Sequence, residues 1–525
     1  MRALISANEK AAHQPACEHL SSRLPRVLVL SCLAFGSATP VLAQRWTFEP
    51  SIETQATLTN NANFDSGSQR ESDLVFNVLP AIRFSRDGPR LRLDGSAGFN
   101  LIGYADGTQT SRILPQANVL ANLEAIEQFF FVEAALLANQ DVLNPFLSQS
   151  DSASTFNKYT YVQGRVSPYL QGNFGPDWRY LVRSDNSYTH TTQSGSAQLA
   201  DSYYGRHFAE VIRVATPLGG SLRVQSDVTR FDDQTGADQH IELALAKINY
   251  AFTPHFNAGL RGGYERTNYT LNDTSGAIYG AEFGWTPNAR TRLAGFWESR
   301  FFGPSYRFDL TNRQRSLATN LSASRSVTTY PQLVLQLPGT GNVSGLLNAI
   351  LIARFPDPVE RARQVRDLID LQALPSSLPN GVNIYSQSVN VVTSGSASAA
   401  LIGLRNTLAL TLYYTKTDLL PDAAIPPTFI TFNNNIQKGA TLSLSHRLSR
   451  VMTLNAIASR LETRGFDQSA GNVTDQNIFE VQTTRQLSPR SSAFIGARYQ
   501  QQESTSSGVR DANEAAIFVG LFHRL

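Results

Sequence analysis

The chain has 525 residues, with 45 Lys and Arg against 42 Asp and Glu and only two cysteines. Charges this closely balanced give no reason to expect a nucleic-acid partner. Cys17 and Cys32 both precede Ala43, so nothing downstream can be held by a disulfide, and no later run of 18 or more apolar residues offers a membrane-spanning helix.

The first predicted element is a leader. Arg23 and Arg26 precede the apolar run Val27–Phe35, and Val41 and Ala43 supply the small residues of a cleavage site. That arrangement predicts a secretory signal peptide over residues 1–43, leaving 44–525 as the working chain.

From Trp46 onward, apolar side chains fall on every second residue. Trp46, Phe48, Pro50, Ile52, Ala56 and Leu58 alternate with Thr47, Glu49, Ser51, Glu53, Gln55 and Thr57. Leu74, Phe76, Val78, Ile82 and Phe84 share one parity before the turn at Asp87-Gly88-Pro89, and Leu91, Leu93, Ala97 and Phe99 share one after it. The pattern returns in Leu222, Val224 and Val228, in Phe256, Ala258, Leu260 and Tyr264, and in Ala493, Ile495, Ala497 and Tyr499. Period two predicts strands, and a short Asp-Gly link between two of them predicts a hairpin.

The links fall into two kinds. Residues 215–220 (ATPLGG), 252–256 (FTPHF), 285–290 (WTPNAR) and 487–491 (LSPRS) are tight, and proline suits them because it fixes φ and has no N–H to donate. Residues 139–158, 189–202, 417–435 and 503–514 are long and polar. Alternating tight turns and long loops are expected of an outer-membrane barrel, in which lipid takes the apolar parity and a wet lumen takes the polar one. Backbone groups in hydrocarbon must all be paired, which closes the sheet. The predicted fold is therefore all-β: a transmembrane antiparallel up-and-down outer-membrane β-barrel of 18–22 strands with one helical loop insertion at 330–381. A secreted soluble sandwich or propeller is the alternative. Pro50, Pro80, Pro115 and Pro168 sit inside candidate strands, where bulges or strand ends are expected to absorb them.

Residues 344–381 read as helical. Asp357 fits a cap, Pro358 the first helical position and Glu360 the third position after the cap, while Val359, Ala362, Val365 and Ile369 line one face. Decoration of a surface loop, a lid and a plug in the lumen all remain open. Strand counting puts the insertion on the outer side.

The closing segment AAIFVGLFHRL alternates to the end, and Gly520, His523 and Leu525 occupy the positions of a C-terminal barrel-assembly signal. By parity Arg83, Arg92, Arg223, Arg261 and Arg498 face the lumen. Each is expected either to pair with an inward carboxylate such as Asp94, Asp227 or Glu265, or to meet an acidic polymer through its fork of donors. Six histidines follow the leader (His190, His207, His240, His255, His446 and His523), but none has metal-ligand spacing and no thiolate accompanies them. No metal or cofactor is expected. Asp185 and His190 are the one pair suggestive of a rim enzyme.

The stretch 300–329 resembles a known family. Phe301-Phe302-Gly303, Ser305-Tyr306, Ser324-Arg325 and Val327-Thr328-Thr329 are similar to the outer-membrane β-barrel proteins associated with PEP-CTERM/exosortase systems in Gram-negative bacteria, related to β-barrel porins of exopolysaccharide clusters. Residues 77–84 (NVLPAIRF), 355–365 (FPDPVERARQV), 403–408 (GLRNTL) and 518–525 support it. The resemblance implies an outer-membrane location, no catalytic residues, and a role in passing polymer across the outer membrane. The implied partners are outer-membrane lipid, the barrel assembly machinery, polysaccharide and periplasmic export components. A general diffusion porin or small-solute channel, and a rim enzyme or surface adhesion protein, are the alternatives.

Overall fold

The computed structural model describes residues 46–147, 157–193, 199–232, 238–314, 316–335, 351, 355–372, 385–423, 430–506 and 511–525. The predicted leader and its cleavage site lie outside them. Twenty-two strands follow in chain order. The first eleven are β1 (Trp46–Thr59), β2 (Asp73–Asp87), β3 (Leu91–Tyr104), β4 (Arg112–Ile126), β5 (Phe130–Val142), β6 (Lys158–Phe174), β7 (Trp178–Gln193), β8 (Ser202–Arg213), β9 (Leu218–Phe231), β10 (Gln239–Thr253) and β11 (Phe256–Thr267). The rest are β12 (Thr274–Asn288), β13 (Thr291–Arg300), β14 (Gly303–Arg313), β15 (Leu317–Thr328), β16 (Asn390–Ile402), β17 (Asn406–Leu419), β18 (Asn435–Arg447), β19 (Met452–Gly465), β20 (Val473–Ser488), β21 (Ser491–Ser504) and β22 (Ala512–Arg524).

Each strand pairs antiparallel with the next, and β22 returns to β1 from Ser51↔Arg524 to Thr59↔Ala516. The sheet is closed, with no free edge. Its strand number is the top of the expected range. Such closure satisfies the backbone within one wall and rules out the soluble sandwich.

Ten links of two to four residues gather at one end of the barrel, together with the start of β1 and the C-terminus. The links at the other end have six residues or more, except Phe301-Phe302 between β13 and β14. That tight exception is the core of the family-like motif. Gly303 takes φ +94°, a conformation that favours glycine. The Phe302 ring lies between Arg300 and Arg325, whose guanidinium carbons are 5.7 and 5.5 Å from its centroid.

The outer face carries the apolar parity. Near the turn end it is ringed by aromatics, among them Trp46 and Phe48 stacked at 5.8 Å and Phe174 and Trp178 stacked at 5.9 Å. Tyr264, Tyr279, Trp297 and Tyr499 form a second exposed set toward the loop end, with Leu222, Val224, Ile248, Leu260, Ile495 and Val519 between the two. An aliphatic belt between aromatic girdles is the surface a bilayer requires of a barrel. Polar groups on this face satisfy one another, as Ser184 does with His207 at 2.8 Å and Tyr203 with Asn186 at 2.8 Å.

The four strand prolines are accommodated differently from the expectation. Neither a bulge nor a strand end absorbs them all; instead, each is missing from one of its two ladders. Pro50 lies just outside the β1–β22 register, and Pro80 is skipped between Val78↔Leu101 and Ala81↔Gly98. Pro115 precedes the β4–β5 ladder, and Pro168 is skipped between Val166↔Asn186 and Tyr169↔Arg183. Since proline has no N–H, the ladder on that side is simply omitted.

The closing strand is tightly fitted. Leu525 N donates to Pro50 O at 2.9 Å and His523 Nδ1 meets Ser491 Oγ at 2.9 Å. At Gly520 a Cβ would lie 2.5 Å from the Thr54 carbonyl oxygen and 2.2 Å from the Phe494 ring. Gly520→Val is therefore expected to cost about 1–3 kcal/mol by overpacking at the seam. Heat-modifiable migration on gels should show a smaller folded fraction than for wild type; an unchanged fraction would mean the seam relaxes freely.

Candidate functional site

The lumen has two unlike walls. From β5 to β13 it is charged. Arg183 reaches Glu133 at 2.6 Å, Arg206 reaches Asp227 at 3.0 Å, and Arg261 reaches both Glu282 (2.9 Å) and Glu298 (2.8 Å). Arg300 donates to Glu265 at 2.7 Å. From β15 to β21 many rungs are hydroxyls and amides, with Glu480 and Arg498 as charged members: Ser322 with Ser396 at 2.7 Å, Ser324 with Ser394 at 2.8 Å, Thr441 with Ser459 at 2.9 Å and Gln476 with Gln502 at 2.8 Å. Both sets are cross-strand pairs that fix register.

All five arginines singled out by parity point to the lumen side, where they meet different groups. Arg261 is clamped by two glutamates and lies 4.0 Å from the Phe296 ring centroid. Arg223 stacks 3.9 Å over Phe208, with Glu210 at 3.9 Å. Arg498 donates to Glu514 at 3.2 Å, and Arg83 lines the main cavity. Arg92 bonds Asp357, in the insertion, at 2.9 Å. The named carboxylates have other partners than parity suggested. Asp227 takes Arg206, Glu265 takes Arg300, and Asp94 takes Arg366 of the insertion.

The insertion lies inside the barrel. It leaves β15 after Thr328 and rejoins β16 at Asn390, both at the loop end. A short helix α1 (Tyr330–Leu335) opens it, and α2 (Pro358–Gln372) follows. Tyr330 and Tyr385, near its two ends, meet with tilted rings 4.8 Å apart and pack with Tyr159 of β6 at 6.2 Å each. All three are essentially fully buried, and aromatic pairs of this kind add about 0.5–1.5 kcal/mol each beyond area burial. The Tyr385 hydroxyl also accepts from Ala200 N at 2.8 Å.

Between these anchors the chain descends to the opposite end. The Asp357 carboxylate caps α2, accepting from Val359 N at 2.9 Å and Glu360 N at 2.8 Å, as its spacing predicted. Its other oxygen takes Arg92, the second residue of β3. Arg363 reaches Asp87, the last residue of β2, at 3.2 Å, and Arg366 meets Asp94. Those wall residues belong to the turn end. Roughly 40 Å of strand separates the two ends of β3, so α2 is a plug reaching down the lumen, neither surface decoration nor lid. A 22-stranded barrel has a lumen too wide for its own side chains to fill. Val359, Arg361 and Val365 are buried, and the Arg361 guanidinium donates to the Phe355 and Pro356 carbonyls at 2.7 and 2.9 Å.

The plug leaves one large cavity of ≈1700 Å³. Its lining runs along β1 from Thr47 to Thr57 and along β20 from Ser488 to Gln476, and so follows the wall from the turn end nearly to the loop end. Arg363 and Arg366 of α2 form part of it, whereas no described residue of β7–β17 does. On the charged side a pocket of ≈340 Å³ bounded by Arg165, Arg206, Asp227, Arg300 and Gln332 is found.

Asp185 and His190 do not form a dyad. Asp185 faces inward and holds Arg183 at 2.7 Å, while His190 faces outward and meets Asp201 at 2.7 Å. An odd and an even position on one strand lie on opposite faces. No group of three or more His, Cys, Asp or Glu able to hold a metal occurs among the described residues.

No family model matches the chain, and no curated protein matches it either. Solved structures do. The siderophore receptor PirA from Acinetobacter baumannii aligns over 93% of this chain and 81% of its own, at 8% identity and TM-score 0.48. The apoprotein form of the FrpB iron transporter from Neisseria meningitidis covers 91% and 81% at 8% identity and TM-score 0.49. The unliganded ferric citrate transporter FecA covers 93% and 80% at 8% identity and TM-score 0.46. At this level the likeness extends no substrate to the present chain.

Parity alone did not reveal Asp87, Arg363 and Arg366, which hold the plug, or Arg447, Arg450 and Arg490, which line the cavity at its turn end. For the plug one signal was available: Arg363 and Arg366 are three apart and share a helix face. The turn arginines belong to no strand pattern.

Proposed function

We propose that this chain is an outer-membrane β-barrel that aids passage of exopolysaccharide across the outer membrane, as part of a PEP-CTERM/exosortase-type system. The observation that carries this reading is the cavity, lined by polar and apolar side chains together, running beside an internal plug over nearly the whole height of the wall. Its Ser, Thr, Asn and Gln side chains offer donors and acceptors suited to sugar hydroxyls. The specific system is supported by the resemblance at 300–329. In the usual barrel orientation the turn end faces the periplasm, where export components would deliver the polymer. The plug weighs against a general diffusion porin, and the opposed faces of Asp185 and His190 weigh against a rim enzyme.

A chromosomal deletion tests this. Surface polymer should disappear while polymer accumulates inside the cell envelope. Unchanged surface polymer with reduced uptake of small solutes would favour the porin reading instead.

A further inference from the structure

We propose that the turn-end mouth of the cavity is a capture site for an acidic polysaccharide, one carrying carboxylates, with Arg447, Arg450 and Arg490 as its binding groups. This rests on the reading of the cavity as a polymer conduit. The cavity is lined by ten basic side chains against five acidic ones, although the whole chain has 45 against 42. Much of the basic lining is already engaged: Arg363, Arg366 and Arg498 hold carboxylates, and Arg524 has Glu49 at 3.7 Å.

The three mouth arginines differ. Arg447 ends β18, Arg450 lies in the next turn, and Arg490 lies in the turn between β20 and β21. All three are exposed, and none has a carboxylate partner among the described residues. The two turns are two strands apart, roughly 10 Å, so one linear chain bridges them where a single small anion would not. A guanidinium keeps its charge at any physiological pH and presents a planar fork of donors that fits a carboxylate. All three line the cavity at its turn end, where a polymer entering from that end reaches them. Anionic lipid on the outer surface of the barrel does not face them. A cluster of like charges at a low-dielectric opening also concentrates counter-charged ligand there.

The test is isothermal titration of the full chain, folded in a neutral detergent, with an oligogalacturonate and with a maltooligosaccharide of equal length. The oligogalacturonate should bind, less tightly as salt is raised, and the neutral sugar should not. The R447Q/R450Q/R490Q variant should bind at least about tenfold more weakly, a difference of about 1.4 kcal/mol, while keeping wild-type heat-modifiable migration. Equal binding of the two sugars, no binding of either, or an unchanged affinity in the triple variant would overturn the site. The deletion phenotype is a separate readout. Loss of surface polymer without galacturonate binding removes the capture site and leaves the export reading; binding with surface polymer intact does the reverse.

Discussion

Replacing residues 344–381 by a short Gly-Ser linker is expected to raise single-channel conductance in planar bilayers several-fold. The wall does not depend on the insertion. The β15–β16 ladder runs from Leu317↔Leu401 to Thr328↔Asn390 without it, and every strand keeps two neighbours. Tyr330 and Tyr385 remain, so the loop-end aromatic cluster with Tyr159 is retained. What is lost is the mass between the charged wall and the present ≈1700 Å³ cavity. Ion flow follows open cross-section, and a 22-stranded lumen emptied of its plug becomes a wide aqueous pore. Conductance equal to that of wild type would mean that the insertion lies outside the conduction path.

The second large effect concerns how the plug is held. Three ion pairs join α2 to the β2–β3 hairpin, and their exposures rank them. Arg92 and Asp357 are 47% and 20% exposed, and Arg363 and Asp87 are 39% and 65% exposed. Pairs this open are worth about 0–1 kcal/mol. Arg366 and Asp94 are 17% and 4% exposed. Removing one member of a buried pair strands the other charge, at a cost of about 3–5 kcal/mol; the low end applies here because the cavity admits water. Asp94→Ala should therefore shift the docked-to-undocked ratio of α2 by on the order of a hundredfold, seen as frequent high-conductance bursts. Asp87→Ala should leave the current nearly as it was. Bursts in Asp87→Ala and none in Asp94→Ala would invert the ranking. A variant with leucine at both 94 and 366 should restore docking, since a well-packed apolar pair often replaces a buried ion pair without loss.

Much of the barrel was legible because its signals are local. Period two fixes which side chains face lipid, and link length marks the end of the barrel for every link but Phe301-Phe302, which is tight yet lies at the loop end. The inward face of Arg83, Arg92, Arg223, Arg261 and Arg498 follows from the same alternation. Their partners did not follow, because they depend on which strands and segments meet. Asp94, two residues from Arg92, is claimed by Arg366 from a segment far along the chain. Parity could also have dismissed Asp185 with His190, since one position is odd and the other even on a single strand. For α2 the cap at Asp357 and the helix itself were readable, being matters of a few neighbouring residues. Its destination was not. An amphipathic helix with arginines on one face suits solvent and a polar lumen equally well, and only Tyr159 and the β2–β3 hairpin decide between them.

The path of the insertion is what most of these expectations share, and the absence of cysteine after Cys32 makes it directly measurable. Asp94→Cys and Arg366→Cys, introduced together, place the only two thiols after Cys32 on the turn-end wall and on α2. A short bis-maleimide should join them within one molecule, and a monofunctional maleimide too large to enter the lumen should label neither. Ready labelling of the thiol at 366 by the large reagent, with no intramolecular link to 94, would place α2 outside the barrel.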